Sequence, residues 1–419
     1  MIQVLDQPRM TRLPKQTLLD LASNGPTISG SSTFCPQITT LSWTAFDANQ
    51  VYAAKLFTSR SLKFLRLTLG DYMVNDSNAF DVLLEHATVT SPSLETLEIV
   101  SSTSGTLSIT LNPTSLTALS NLHSVNLHVA LNNAPLLKCL SNLPRLHTLR
   151  GHISSQRVAL PVVTRSTFKS LHTFGLTGGR TPLVNLFNMM AIPRLAILDI
   201  NVDDVTGDAD FSQLCHDLSR RVKGISRAQL FLTHRSSAVD ITSALKFCIP
   251  MARELVIRSN TLSFSTFDSS SVPAKTERLT LLATTGWKQA FALPKLLNLL
   301  RNFPSLKYLE IGIDANGFQC PSLGPNPHNF PLETLAIYPG PIQTAWPVAS
   351  FISSILPSTQ INVQGVTGRT VVWDEVAGAI PELQRSVLVE RRARTLEQEV
   401  RVPRNIVERF DRNRSSTLD

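Results

Sequence analysis

The sequence predicts an α/β solenoid, with parallel strands lining a concave face and helices covering the convex one. A short apolar phrase (leucine, two residues, leucine, one residue, a further apolar residue) recurs along most of the 419 residues. The copies are evenly spaced, and stretches of helical spacing alternate with them.

The clearest copies are LKFLRL (Leu62–Leu67), LETLEI (Leu94–Ile99), LHSVNL (Leu122–Leu127), LHTFGL (Leu171–Leu176), LAILDI (Leu195–Ile200), LKYLEI (Leu306–Ile311) and LETLAI (Leu332–Ile337). Weaker ones start at Ile38, Leu146, Ile225, Ala252, Thr276 and Ser358. The thirteen starts from residue 38 to residue 358 give a mean spacing of about 27, inside the roughly 20–29 of leucine-rich repeats. The fold class is therefore a leucine-rich-repeat solenoid, or horseshoe.

Each phrase alternates apolar and polar residues, the period of a strand buried on one face. Between phrases, helical spacing runs over Ala79–His86, Pro135–Leu143, Pro182–Met190, Phe211–Val222, Ile241–Phe247 and Ala290–Phe303. Proline stands just before several phrases, at Pro92, Pro144, Pro193, Pro304 and Pro331; it ends a helix and prepares extended chain. Strand, helix, strand repeated in this order is a parallel crossover. Strands pack about 4.8 Å apart and helices about 8–10 Å apart, so the strand side closes into an arc.

The same alternation says which side chains face a partner. The residue between the last two apolar positions forms a column: Ser42, Arg66, Glu98, Asn126, Arg150, Gly175, Asp199, Gln229, Val256, Thr280, Glu310, Ala336 and Asn362. Phe64, His128, His152, Tyr308 and Tyr338 flank it. Candidate protein-binding residues are Arg66, Glu98, Asn126, His128, Arg150, His152, Asp199, Gln229, Tyr308, Glu310 and Tyr338. Their mixed charge signs suit a specific protein surface better than a uniform polyanion.

Net charge is +8, but the basic residues are dispersed and do not interleave with aromatics, as stacking on single-stranded nucleic acid requires. Nucleic acid and membrane are not expected partners. Cys35, Cys139, Cys215, Cys248 and Cys320 include no close pair, so neither a disulfide framework nor a zinc site is expected. They read as buried free thiols in a reducing compartment. The first fifteen residues lack the apolar core of a signal peptide, which points to a soluble protein of the cytoplasm or nucleus. His123, His147 and His172 share the second position of three phrases, and read as a polar edge ladder rather than a metal site. Thr177–Arg180 lacks the lysine ending of a phosphate loop and reads as a strand-to-helix turn. No hydrolase, metalloprotease or kinase signature is present. The expectation is a non-enzymatic protein without cofactor, metal or catalytic residue.

The expected organisation is an N-terminal cap over 1–34, with a short helix at Arg12–Ala22 and a loop at Gly25–Ser32, then the solenoid over 35–366. A charged helical cap and tail follows over 367–419, interrupted at Pro403. From Arg385 onward the tail carries nine arginines against six acids.

The proline-led phrases SPSLETLEI (Ser91–Ile99) and NFPSLKYLEI (Asn302–Ile311), the irregular repeat lengths and the tail WDEVAGAIPELQRSVLVERR (Trp373–Arg392) carry a resemblance. The chain resembles the fungal, basidiomycete-type F-box/leucine-rich-repeat proteins. That resemblance implies the substrate-binding part of a cullin–RING ubiquitin ligase, with the Skp adaptor and cullin as partners and an unknown protein substrate in the concavity. Leu13-Pro14 with Leu18, Leu19 and Leu21 echoes the opening of an F-box, but Gly25–Ser32 leaves no room for its later helices. The F-box is missing or degenerate. The alternative is a repeat scaffold outside ubiquitin transfer, such as a regulator of a small GTPase; repeat-type GTPase activators resemble this architecture but typically carry a strongly acidic tail, and here the tail is basic.

Overall fold

The computed structural model describes residues 4–6, 35–70, 77–102, 111–131, 134–153, 166–203, 208–221, 224–232, 239–240, 252–259, 262–263, 275–283, 291–320, 330–364 and 371–415. The expected Arg12–Ala22 and Ile241–Phe247 helices, the Gly25–Ser32 loop, the F-box-like residues and Cys248 lie outside them. The chain is α/β, built on parallel strands, and divides into two compact units. One comprises Met1–Val239, Ser243–Ala252 and Ile257–Ser259; the other comprises Asp240–Thr242, Arg253–Val256 and Asn260–Asp419.

All thirteen phrases form strands, each beginning two residues after the phrase starts. In the first unit these are β2 (Thr40–Ala45), β3 (Phe64–Leu69), β4 (Thr96–Ser101), β5 (Ser124–Ala130), β6 (Thr148–Ile153), β7 (Thr173–Gly178), β8 (Ile197–Val202) and β9 (Arg227–Leu232). A strand the phrase did not announce, β1 (Val4–Asp6), precedes them and pairs with β2. Neighbours in this series pair in parallel and in chain order. β10 (Glu254–Ser259) has residues in both units. The second unit holds β11 (Arg278–Ala283), β12 (Tyr308–Ala315), β13 (Thr334–Ile342) and β14 (Gln360–Val363), again parallel and in order.

Alternation decides what each strand buries. β2, β8 and β9 bury every second residue. The leucines at the first, fourth and sixth phrase positions form the core: Leu62, Leu65 and Leu67 are fully buried, as are Leu94, Leu97 and Ile99. Each such side chain contributes roughly 1.5–3 kcal/mol on leaving water. The backbone repeats too. The second-position carbonyl of one phrase accepts two N–H groups from the next, as Thr39 does from Lys63 and Phe64 and Lys63 from Glu95 and Thr96. In the last phrase Ser358 is exposed and Thr359 is buried instead, its hydroxyl donating to the Leu332 carbonyl at 2.7 Å.

Helices return the chain between strands: α1 (Ala48–Ala54), α2 (Ser77–Thr90), α3 (Pro113–Ala118), α4 (Ala134–Asn142), α5 (Arg180–Met189) and α6 (Asp208–Arg221) in the first unit. Asp47 caps α1 by accepting from the Gln50 amide at 2.9 Å, and Asn112 caps α3, whose first residue is Pro113. Both caps satisfy donors that a helix start otherwise leaves orphaned. Thr177–Arg180 carries the expected passage from strand to helix, with Gly179 alone between β7 and α5. Pro92, Pro144, Pro193 and Pro304 occupy the turns that enter strands.

Three expectations need correction. Ala290–Phe303 is not one helix: Phe291–Ala292 pairs with β12, Leu293–Lys295 forms a tight turn, and α7 spans only Leu296–Asn302. Pro294 disfavours helix for the residue before it. The tail helix α9 (Val371–Ser415) runs through Pro403 as well as Pro381; each ring removes one donor, while the surrounding glutamates, arginines and leucines favour helix. Finally, Cys139 and Cys215 are buried thiols, but Cys35 is half-buried and Cys320 exposed. Burial pushes the Cys139 thiol up to about 11.

Helix α8 (Ala345–Ile355) precedes β14, and the first turns of α9 pack on both. Trp373, Val376 and Ile380 are buried there. The Trp373 indole donates to the Gly340 carbonyl at 2.7 Å, and Gln384 donates to the Leu356 and Thr359 carbonyls at 2.7 and 2.9 Å. Among the described residues no helix is long and apolar enough to cross a membrane.

Candidate functional site

In the first unit the expected column is a true row across the sheet. Ser42, Arg66, Glu98, Asn126, Arg150, Gly175, Asp199 and Gln229 pair each with the next. They lie on the face opposite the leucine core, because their strands alternate. In the second unit Thr280, Glu310, Ala336 and Asn362 align in the same way. That row is not uniformly open: Thr280 and Ala336 are buried, as is Val256 in β10.

Two ion pairs tie the first row together. Arg66 Nε lies 3.6 Å from Glu98 Oε2 on the adjacent strand. Arg150 Nη2 reaches 3.2 Å from Asp199 Oδ2, two strands away. That reach crosses Gly175, where a Cβ would lie 2.8 Å from Arg150 Cγ. The missing side chain is what lets the arginine stem lie flat on the sheet. Both pairs cancel charge locally, leaving a surface of amides and hydroxyls with no net sign.

Around this clamp lies a depression of about 450 Å³, lined by Asn126, His128, Arg150, His152, Asp199 and Gln229, with Thr177, Asn201 and Phe231 continuing the row of His152. His128 Nδ1 accepts from the Ser101 amide at 3.4 Å. Burial holds His128 below the usual imidazole range, Arg66 adding to the effect and Glu98 opposing it. His152 is lowered chiefly by burial as well, with Asp203 opposing and His128 adding. Its Nδ1 is buried and has no hydrogen-bond partner among the described residues.

A bulge shapes this wall. The pairing of β5 with β6 slips between Leu127 and Ala130, so that Ala130 faces His152. The displaced Leu131 fills the space over Gly151, where a Cβ would come within 2.1 Å of Leu131 Cδ1. LHTLRG lacks a sixth apolar residue, and its neighbour supplies one.

In the second unit the candidate residues Tyr308, Glu310 and Tyr338 converge. The Glu310 carboxylate accepts from the Tyr338 hydroxyl at 2.8 Å, from Thr280 at 3.1 Å and from Tyr308 at 3.4 Å. The Arg278 guanidinium stacks 4.0 Å above the Tyr308 ring. The sequence reading missed Arg278, Thr177, Asn201 and Phe231. The last three stand one residue past their phrases, where continued alternation would have found them.

The histidine ladder lies elsewhere, at the strand entrances. His123, His147 and His172 stack with centroids 5.7 and 5.4 Å apart. The His172 Nδ1 meets the Ser170 carbonyl at 2.7 Å, and His147 meets that of Arg145. Among the described residues no cluster of His, Cys, Asp and Glu is arranged to hold a metal ion.

No protein-family model matches the chain, and no curated protein matches it.

Proposed function

We propose that this chain is a non-enzymatic recognition module of leucine-rich-repeat type that binds another protein on the open face of its sheet, the inner face of such a solenoid. The observation supporting this reading is the in-register polar row from Arg66 to Gln229, standing on a leucine core and joined by an ion pair laid across Gly175. Arginine and tyrosine, which this face presents, are among the residue types enriched at protein interfaces.

Affinity capture with mass spectrometry tests it, comparing the native chain with Asp199→Lys and Arg150→Glu. Both residues are partly exposed, so each variant should keep its stability within about 0.5 kcal/mol and lose the captured protein. Leu198→Asp, one residue away and fully buried, should instead unfold the chain. Retention of the same partners by both surface variants would remove this face as the site.

The F-box resemblance carries the reading one step further, to the substrate-holding part of a cullin–RING ubiquitin ligase in a reducing intracellular compartment. Its support is the proline-led phrases and the tail. Co-purification that recovered a partner but neither Skp nor cullin would remove the ligase assignment and leave the recognition module.

A further inference from the structure

The tail helix carries two apolar stripes, and only one of them is used. The inner stripe descends through Trp373, Val376, Ile380, Gln384, Val387 and Arg391. Its first three residues are buried, and its last donates to the Ser354 carbonyl at 2.9 Å. At about 100° per residue, Val389, Ala393 and Leu396 fall on the opposite side of the same helix. Val389 is 68% exposed and Leu396 60% exposed, large apolar groups left in water on an otherwise charged helix. Their spacing of four and three is that of a coiled-coil seam, and the register continues in the sequence through Val400, Val407 and Phe410, with Pro403 at one seam position.

Charge names the occupant. With Leu396 at position d, Arg392 falls at g and Glu397 at e, flanking the seam. In a parallel pair of helices, g of one contacts the e five residues later on the other. Arg392 would meet Glu397 of a second copy, an attractive pair made twice over by symmetry. Arg392 and Glu397 are both exposed, and neither forms an ion pair among the described residues.

We infer that the outer stripe of this helix, Val389–Ala393–Leu396 with Arg392 and Glu397 beside it, is a homodimerisation surface that pairs in parallel with the same helix of a second copy. The test is light scattering and sedimentation equilibrium of the full chain over a range of concentrations. The native protein should show twice the 46.1 kDa chain mass, dissociating on dilution. Leu396→Glu should raise the dimer dissociation constant by about tenfold or more, with the circular dichroism of the body unchanged. Arg392→Glu alone should weaken the dimer, and Arg392→Glu with Glu397→Arg should recover it. A native chain that stays monomeric, including one whose helix binds a different protein instead, would overturn the inference. A dimer indifferent to Leu396→Glu, or a double exchange no better than the single one, would do the same.

Discussion

Arg150 and Asp199 meet over the bare backbone of Gly175, 3.2 Å apart with one full strand between them. Half-exposed pairs of this kind contribute only about 0–1 kcal/mol, so the clamp adds little to stability. What it supplies is position: the guanidinium lies along the sheet and walls the depression. Gly175→Val should lift the arginine stem and break the pair. The stem is flexible and valine favours strands, so thermal melting should move by less than about 1 kcal/mol in either direction. Partner capture should fall as it does for Arg150→Glu. A melting change well beyond that, with capture intact, would mean that Gly175 serves the core instead.

Gly151 and Leu131 make the opposite case, a glycine whose space is already taken. Gly151→Ala puts a methyl within 2.1 Å of Leu131 Cδ1 and should cost about 1–3 kcal/mol by overpacking. Leu131→Ala opens a cavity in a fully buried site and should cost about 2–5 kcal/mol. The two changes compete for one volume, so the double variant should be more stable than the sum of the singles predicts. Denaturant titration of the four proteins measures that coupling; simple additivity would show that the bulge does not support β6.

These two glycines show where the sequence was legible. The strands, their order and the buried leucines follow from a period-two alternation repeated thirteen times, because any register slip would turn every leucine to water. Helices with regular apolar spacing, such as α2 and α6, were equally readable. The short α1 and α3, with few apolar repeats, were not, nor was the apolar α8. At the site, Arg150 and Asp199 could be placed in one row, but not joined: the contact depends on a side chain that is missing from the strand between them, outside either partner's own phrase. The bulge at Leu131 lies outside the phrase altogether. The Glu310 cluster was visible only as separate candidates, Tyr308, Glu310 and Tyr338, since its hydrogen bonds link three strands.

The two histidines of the depression make stability depend on pH. Both titrate below the ordinary imidazole value of 6.5 in the folded chain, chiefly through burial, and regain about 6.5 when unfolded. Between those values the unfolded chain binds protons that the folded chain declines, so acid favours unfolding. Stability is therefore complete above about pH 6.5, falls as the pH drops from there to the folded-state values, and levels off below them. His86, lowered by burial and by Lys55, adds a loss of the same sign. His128→Gln with His152→Gln should remove their part of this slope and leave the share due to His86. Melting midpoints recorded across mildly acidic pH check it, and a native slope of the opposite sign would contradict the burial assigned to these rings.

Trp373 anchors the tail helix against the second unit. Its ring is fully buried, and its N–H is spent on the Gly340 carbonyl. Trp373→Ala removes both and should cost about 3–5 kcal/mol. Trp373→Phe keeps much of the apolar bulk but leaves that carbonyl without its donor, for about 1–3 kcal/mol. Val371, two residues earlier and 73% exposed, should tolerate alanine at about 0.5 kcal/mol or less. Guanidinium unfolding followed by far-ultraviolet circular dichroism ranks the three. Trp373→Ala should be the most destabilised, Trp373→Phe intermediate and Val371→Ala the least, because Trp373 is fully buried and hydrogen-bonded while Val371 is exposed. If Trp373→Ala were as mild as Val371→Ala, the helix would be an appendage rather than a cap.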